Sequence, residues 1–209
     1  MKTVRYTFII LFGIILTFIM LMFEFSIWII YLCVVILLLL FVVVPQLYTL
    51  YKSNNLKKIE RYLEENKRKV LFAYPLAIKT GNHDLIVQAI QAVLDKYKQP
   101  YMQEVYKTNL ALFEDDLAKT DHLAQQISKE PLRTYYLAYV EALKGNIEEA
   151  SVLKENLPTG WMQHAIEAII AKEQGNTKSF HQEANLSIAS ARGIQKFTLL
   201  YSFKNMKNS

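Results

Sequence analysis

Two apolar runs open the chain. Of the 18 positions from Tyr6 to Phe23 only Thr7, Gly13 and Thr17 are not apolar, and from Ile27 to Val44 all 18 positions are apolar. Eighteen helical residues rise about 27 Å, close to the roughly 30 Å hydrocarbon core of a bilayer. The pattern predicts two spans, about 6–23 and 27–44, with Glu24, Phe25 and Ser26 as a tight turn where the carboxylate reaches water instead of lipid. That turn contains neither Gly nor Pro. A cleaved signal peptide is disfavoured, because the first run exceeds a usual h-region and no small-x-small site follows it. Leu32 stands where a lipoprotein signal ending at Cys33 needs a small residue. Gly13 and Thr17, four apart, offer a small surface for close helix approach. Chance spacing explains the pair equally well.

After Pro45 and the polar break Ser53-Asn54-Asn55 the period changes. No segment shows sustained apolar and polar alternation, and helical spacing with short punctuation recurs to the end, which predicts an all-helical domain. Leu85, Ile86, Ala89, Ile90, Val93, Leu94 and Tyr97 form the broadest stripe. Helices are expected at roughly 56–80 (disturbed at Pro75), 83–98, 101–119, 122–129, 132–144, 147–156, 160–174 and 177–192. Similar turns punctuate them: Lys79-Thr80-Gly81-Asn82, Lys144-Gly145-Asn146 and Lys172-Glu173-Gln174-Gly175-Asn176, with a degenerate Lys119-Thr120-Asp121. Lys favours a helix C-terminus, Gly the left-handed position after it, and Asn or Asp the next N-cap. Asn82, Asp121, Asn146 and Asn176 lie 39, 25 and 30 residues apart, and Pro100, Pro131 and Pro158 start helices between them.

These hairpins resemble the tetratricopeptide family, whose units of about 34 residues stack antiparallel helix pairs. The third unit carries the likeness best, with Leu137-Ala138 in place of the family's Leu-Gly, Gly145-Asn146 at the turn and Ala150 at the small position. Thr134 and Glu141 replace the family's Trp and Tyr, Pro158 comes early, and Phe180 fills the small position of the fourth unit. The resemblance covers roughly 70–192. It implies a tetratricopeptide-like α-solenoid of about four helix pairs that binds peptides or proteins without catalysis.

Charge divides the chain further. Residues 1–46 hold Lys2 and Arg5 against Glu24, and residues 70–209 are balanced, so +4 of the net +5 falls in 52–69. A nucleic-acid domain would carry its basic excess on itself, so none is expected as a partner. Lys2 and Arg5 before the first span, and Lys52, Lys57 and Lys58 after the second, predict that both termini are cytoplasmic. The collar residues Lys57, Lys58, Arg61 and Lys67 are candidates for a membrane surface, with Leu56, Ile59 and Leu63 facing the domain or the bilayer. A merely topology-setting face accounts for them equally. The excess of 19 Lys over 5 Arg suggests an AT-rich bacterial genome.

Chemical signatures are scarce. No G-x-G pair, P-loop, H-E-x-x-H or G-x-S-x-G is present, and the single Cys33 excludes an intrachain disulfide. No catalytic residue, cofactor or metal is therefore expected. His164 and Glu167 share a helix face, but two ligands do not make a site. His83, His122 and His181 read as polar residues near helix starts, and Glu114-Asp115-Asp116 as a solvated corner. Amphipathic aromatics on first helices, Tyr101, Tyr135, Tyr136, Tyr139 and Trp161, are the protein-binding candidates. At least one of Tyr135, Tyr136 and Tyr139 should be exposed, since neighbours differ by about 100° around a helix.

The expected organisation is a transmembrane hairpin at 1–46, a basic juxtamembrane segment at 47–69, the repeats at 70–192, and a capping helix and tail at 193–209. A detachable last segment is the alternative for 193–209. These features suggest a cell-membrane adaptor for unidentified proteins. The competing reading is an accessory or regulatory subunit of a transport or envelope-assembly complex that works through the hairpin.

Overall fold

A computed structural model describes residues 2–208, with side chains from Thr7 to Lys207. Met1, Ser209 and the side chains of Lys2 and Arg5 lie outside it. Helix predominates and no strand occurs among the described residues. The chain forms two compact units, Met1–Lys52 and Ser53–Ser209.

In the first unit, α1 (Lys2–Met22) packs against α2 (Ile27–Leu38). The turn between them needs no Gly because Glu24 itself adopts φ 55°. Phe25 N–H donates to Met20 and Glu24 N–H to Leu21, which closes the helix end around that left-handed residue. Helix continues through Pro45, where the fully apolar run ends, to the polar break at Ser53. A π-helical stretch, Leu39–Val43, leads into α3 (Val44–Tyr51), and the wider turn accommodates the missing Pro45 N–H. The result, Ile27–Tyr51, is the one helix among the described residues long and apolar enough to cross a membrane. The apolar part of α1, Thr7–Met22, is shorter. Gly13 is not a close-approach point here: a Cβ placed on it would meet nothing within 4 Å, and Thr17 Oγ1 donates to the Gly13 carbonyl of its own helix at 2.8 Å.

The second unit begins with α4 (Leu56–Glu65), capped by Asn55, which accepts from Lys58 N–H at 3.0 Å. A break at 66–69 then separates it from α5 (Val70–Thr80). Pro75 sits inside α5 without ending it, so the expected disturbance lies earlier in the chain. The remaining helices are α6 (His83–Lys96), α7 (Pro100–Phe113), α8 (Leu117–Gln125), α9 (Leu132–Leu143), α10 (Ile147–Glu155), α11 (Trp161–Glu173), α12 (Thr177–Ser190) and α13 (Gly193–Asn208). Within this set α5 packs with α6, α7 with α8, α9 with α10, and α11 with α12.

The second inter-helix turn was misplaced by the sequence pattern. Helix α7 ends at Phe113, not near 119, and Asp116 caps α8 by accepting from Lys119 N–H at 3.0 Å. Asp115 supplies the left-handed residue with φ 56°, as Gly145 and Gly175 do with φ 81° and 71°. All three turns share the same pair of closing backbone bonds. With Asp116 in place of Asp121, the positions Asn82, Asp116, Asn146 and Asn176 lie 34, 30 and 30 residues apart. Four residues after each stands a buried residue: Ile86, Thr120, Ala150 and Phe180.

A second repeated device lies between hairpins. Gln103 Nε2 donates to the carbonyls of Leu94 and Tyr97, both at 2.8 Å. Sixty residues later, Gln163 Nε2 reaches Lys154 at 3.4 Å and Leu157 at 2.9 Å, with the same offsets of nine and six. Each amide satisfies carbonyls left open where the preceding helix ends.

Helix α13 does more than cover the last hairpin. It packs on α12, where Phe180 and Phe203 meet edge to face at 6.1 Å, and also on α4 and α5. Phe197 is buried with Ile59 and Leu63, and Asn205 Nδ2 donates to the Ile78 carbonyl at 2.8 Å. The last helix thereby joins the first hairpin to the last and closes a circuit of helix contacts. A detachable terminal segment is not what this packing describes.

Candidate protein-binding surface

The first helices of the hairpins are α5, α7, α9 and α11, and aromatic side chains link them in series. Tyr74 on α5 meets Tyr106 on α7 edge to face at 5.4 Å. Asn109 Oδ1 on α7 accepts from the Tyr136 hydroxyl on α9 at 3.0 Å. Tyr135 on α9 contacts Tyr136 at 5.4 Å, Tyr139 at 6.2 Å and Trp161 on α11 at 5.3 Å. Alanines explain why α9 and α11 also pack directly: Ala138, Ala142, Ala165 and Ala168 are all buried in one cluster. Thr108, Ala138 and Ala168 stand eight residues before their respective caps, where the first hairpin has Tyr74.

None of Tyr135, Tyr136 and Tyr139 is exposed, which corrects the expectation from helical geometry. Tyr136 is buried at 8% exposure, and the other two are half-buried. The angular argument assumed that one side of the helix faces water, whereas α9 contacts α8, α10 and α11.

Burial raises the pKa of these phenols. Tyr106 is pushed up to about 12, by desolvation first and then by Tyr101 and Tyr97. Tyr74, Tyr135, Tyr136 and Tyr139 are also raised, again chiefly by desolvation. Yet the hydroxyls of Tyr74, Tyr106, Tyr135 and Tyr139 make no hydrogen bond to a described protein group, and no enclosed polar side-chain atom lacks a partner. Each of these hydroxyls therefore keeps only slight solvent contact, in keeping with the desolvation that raises its pKa. The tyrosines of these first helices combine aromatic rings packed in series with polar hydroxyls at their tips.

The other sequence candidates fall elsewhere. Tyr101 is half-buried, with the Lys129 ammonium 4.7 Å from its ring centroid. Trp161 is half-buried against the α9–α12 core, and its carbonyl accepts from Ser187 Oγ at 2.9 Å. His164 and Glu167 do not converge: His164 Nδ1 pairs with Glu183 Oε2 at 2.8 Å, and Glu167 pairs with Lys154. No group of three potential metal ligands occurs among the described residues. His83 Nε2 lies 2.9 Å from the Phe113 carbonyl and ties the start of α6 to the end of α7.

Lys57, Lys58, Arg61 and Lys67 are exposed on or just after α4. Ile59 and Leu63 are fully buried against Phe197, so the apolar face of α4 is turned to the helical core. Attraction of this collar to a membrane would be electrostatic and would not involve insertion of that face.

Sequence reasoning missed Tyr74, Asn109, Gln103 and Gln163. Tyr74 had no signal in the repeat register, since the later hairpins carry Thr108, Ala138 and Ala168 at the same distance from their caps. No family model matches the sequence, and no curated protein or solved structure matches it either.

Proposed function

We propose that this chain is a cell-membrane adaptor. A two-span hairpin holds it on the cytoplasmic side, and a tetratricopeptide-like helical array takes an extended segment of a protein partner against its tyrosine-lined inner face. The observation that carries this reading is the series of tyrosines, ending on Trp161, that links the first helices of successive hairpins. The cap spacings of 34, 30 and 30 support the likeness to stacked helix pairs of about 34 residues. In the first unit α1 packs against α2, and Phe8, Phe12, Phe18, Trp28, Tyr31 and Phe41 are exposed. So much apolar surface favours lipid around both helices. Thr7–Met22 needs only slight bilayer thinning, or the flanking residues Lys2–Tyr6, to reach across.

Orientation follows the basic flanks. A phosphatase reporter fused after Asn55 should be inactive and a fluorescent cytoplasmic reporter bright; an active phosphatase would export the helical unit and overturn the orientation.

One observation favours the accessory-subunit reading. Gly13 faces open space, so this small position is available to another membrane helix. Exchange of residues 1–52 for an unrelated two-span anchor separates the readings, since the unit boundary falls at Lys52. The adaptor retains its copurifying proteins after the exchange, whereas a subunit acting through the hairpin loses them.

A further inference from the structure

The helical unit begins at Ser53, two residues beyond the apolar helix Ile27–Tyr51. Two residues extend the chain by no more than about 7 Å. A helix of 25 residues is about 37 Å long, more than the roughly 30 Å hydrocarbon core and less than the roughly 40–45 Å that includes the headgroups. When this helix spans, its last turn lies among headgroups and Ser53 emerges at their edge.

Held at that point is the corner between α12 and α13. Gly193 N–H donates to the Ser53 carbonyl at 2.8 Å, and Lys196 Nζ donates to Asn54 Oδ1 at 3.4 Å. Residues some 140 positions away in sequence are thereby tied to the first residues of the helical unit. Arg192 and Lys196 have no carboxylate partner among the described residues, unlike Lys79, Lys119, Arg133, Lys144 and Lys154. Arg192 directs Nη1 to the carbonyls of Ala189 and Ala191, at 2.7 and 2.9 Å, and remains exposed. Its other guanidinium nitrogens are left for a ligand. Lys196 is half-buried, and both its burial and the nearby Arg192 lower its pKa. An anion placed between the two cations relieves that repulsion.

We propose that the corner formed by Ser53, Asn54, Arg192 and Lys196 binds the phosphate of an anionic phospholipid headgroup, with Arg192 and Lys196 as its ligands. Arginine offers the phosphate a planar fork and lysine a point charge. The bound lipid would fix the α12–α13 corner to the leaflet at which the chain leaves the bilayer. The site rests on the reading of Ile27–Tyr51 as a span.

The test uses the full chain in bilayers of phosphatidylglycerol and phosphatidylcholine, followed by mild extraction and native mass spectrometry of the retained lipid. The wild type retains phosphatidylglycerol preferentially. Retention falls about tenfold in Arg192→Gln/Lys196→Gln. It persists in the charge-conserving Arg192→Lys/Lys196→Arg and in Lys178→Gln/Lys204→Gln, which removes equal charge elsewhere on α12 and α13. Equal retention of the two lipids, equal loss in the distant variant, or displacement by inorganic phosphate would overturn the proposal, the last by assigning the corner to a soluble anion. Alkaline carbonate washing of the same membranes reads the span separately. Release of the wild type would overturn the span reading and the site together, whereas firm attachment without lipid preference would overturn the site alone.

Discussion

Phe197→Ala should cost the helical unit about 3–5 kcal/mol, the range for a phenylalanine removed from a packed core. Phe197 is 1% exposed, its ring lies 4.8 Å from that of Tyr201, and Ile59 and Leu63 against it are fully buried. These neighbours belong to α4 and α13, which also engage each other through Gly193 and Ser53 near the domain start. A cavity there loosens the closure of the circuit instead of one hairpin. Domains of ordinary stability have about 5–15 kcal/mol in total, so the variant should sit near its threshold. Denaturant unfolding of the full chain in detergent measures the loss, and hydrogen exchange locates it. Amides of α4 and α13 should lose protection together while α9–α11 keep theirs. Phe197→Leu should cost less, under about 1.5 kcal/mol if the site repacks. A loss under about 1 kcal/mol for Phe197→Ala would show that α13 contributes little to closure.

Alkaline pH should unfold the helical unit through its tyrosines. In the unfolded chain a tyrosine ionises near pH ~10, whereas Tyr74, Tyr106, Tyr135, Tyr136 and Tyr139 hold their protons to higher pH in the folded state. The folded state then binds more protons than the unfolded one, so stability falls as pH rises. The contribution is fully present below pH ~10 and declines above it, by up to about 1.4 kcal/mol per pH unit for each such tyrosine. Tyr106 stops adding to the decline once pH passes about 12. With several such groups the whole stability is consumed within about two units. Phenolate absorbance followed beside circular dichroism should show the phenolates of Tyr74, Tyr106, Tyr135, Tyr136 and Tyr139 appearing only as helicity collapses. Smooth titration of all of them without loss of helix would contradict the buried series.

The apolar period was sufficient to place most helices, because Ile86, Ile90, Val93 and Leu94 repeat on one face of α6 and all four are buried. Leu85, in the same stripe, is exposed, so the stripe is narrower than the letters suggest. Turns built on Gly81, Gly145 and Gly175 were legible because glycine is the usual left-handed residue. Glu24 and Asp115 take the same conformation with a side chain that does not advertise it, which is why one turn was set five residues late. Pro45 is legible in the sequence as the end of the apolar run, whereas the π-helical turn that absorbs its lost hydrogen bond is not.

Closure was not legible. Ile194, Phe197, Leu200 and Tyr201 announce an apolar helix face, but nothing in their spacing distinguishes α12 from α4 and α5 as the surface they meet. The candidate surface was half legible in the same sense. Tyr135, Tyr136, Tyr139 and Trp161 belong to the aromatic series, but their inward direction depends on how several helices surround α9. Tyr74 joins the series only through tertiary contact with Tyr106.

The adaptor account turns on whether a partner protein reaches the inner face. The most direct measurement is site-specific photocrosslinking in intact membranes, with p-benzoylphenylalanine in place of Tyr139 on the inner face or of Val152, which is 57% exposed on α10. The account predicts a crosslink to another protein from position 139 and none at comparable yield from 152. Crosslinks from a hairpin position such as Leu11, with none from 139, would contradict it and transfer the function to the membrane unit.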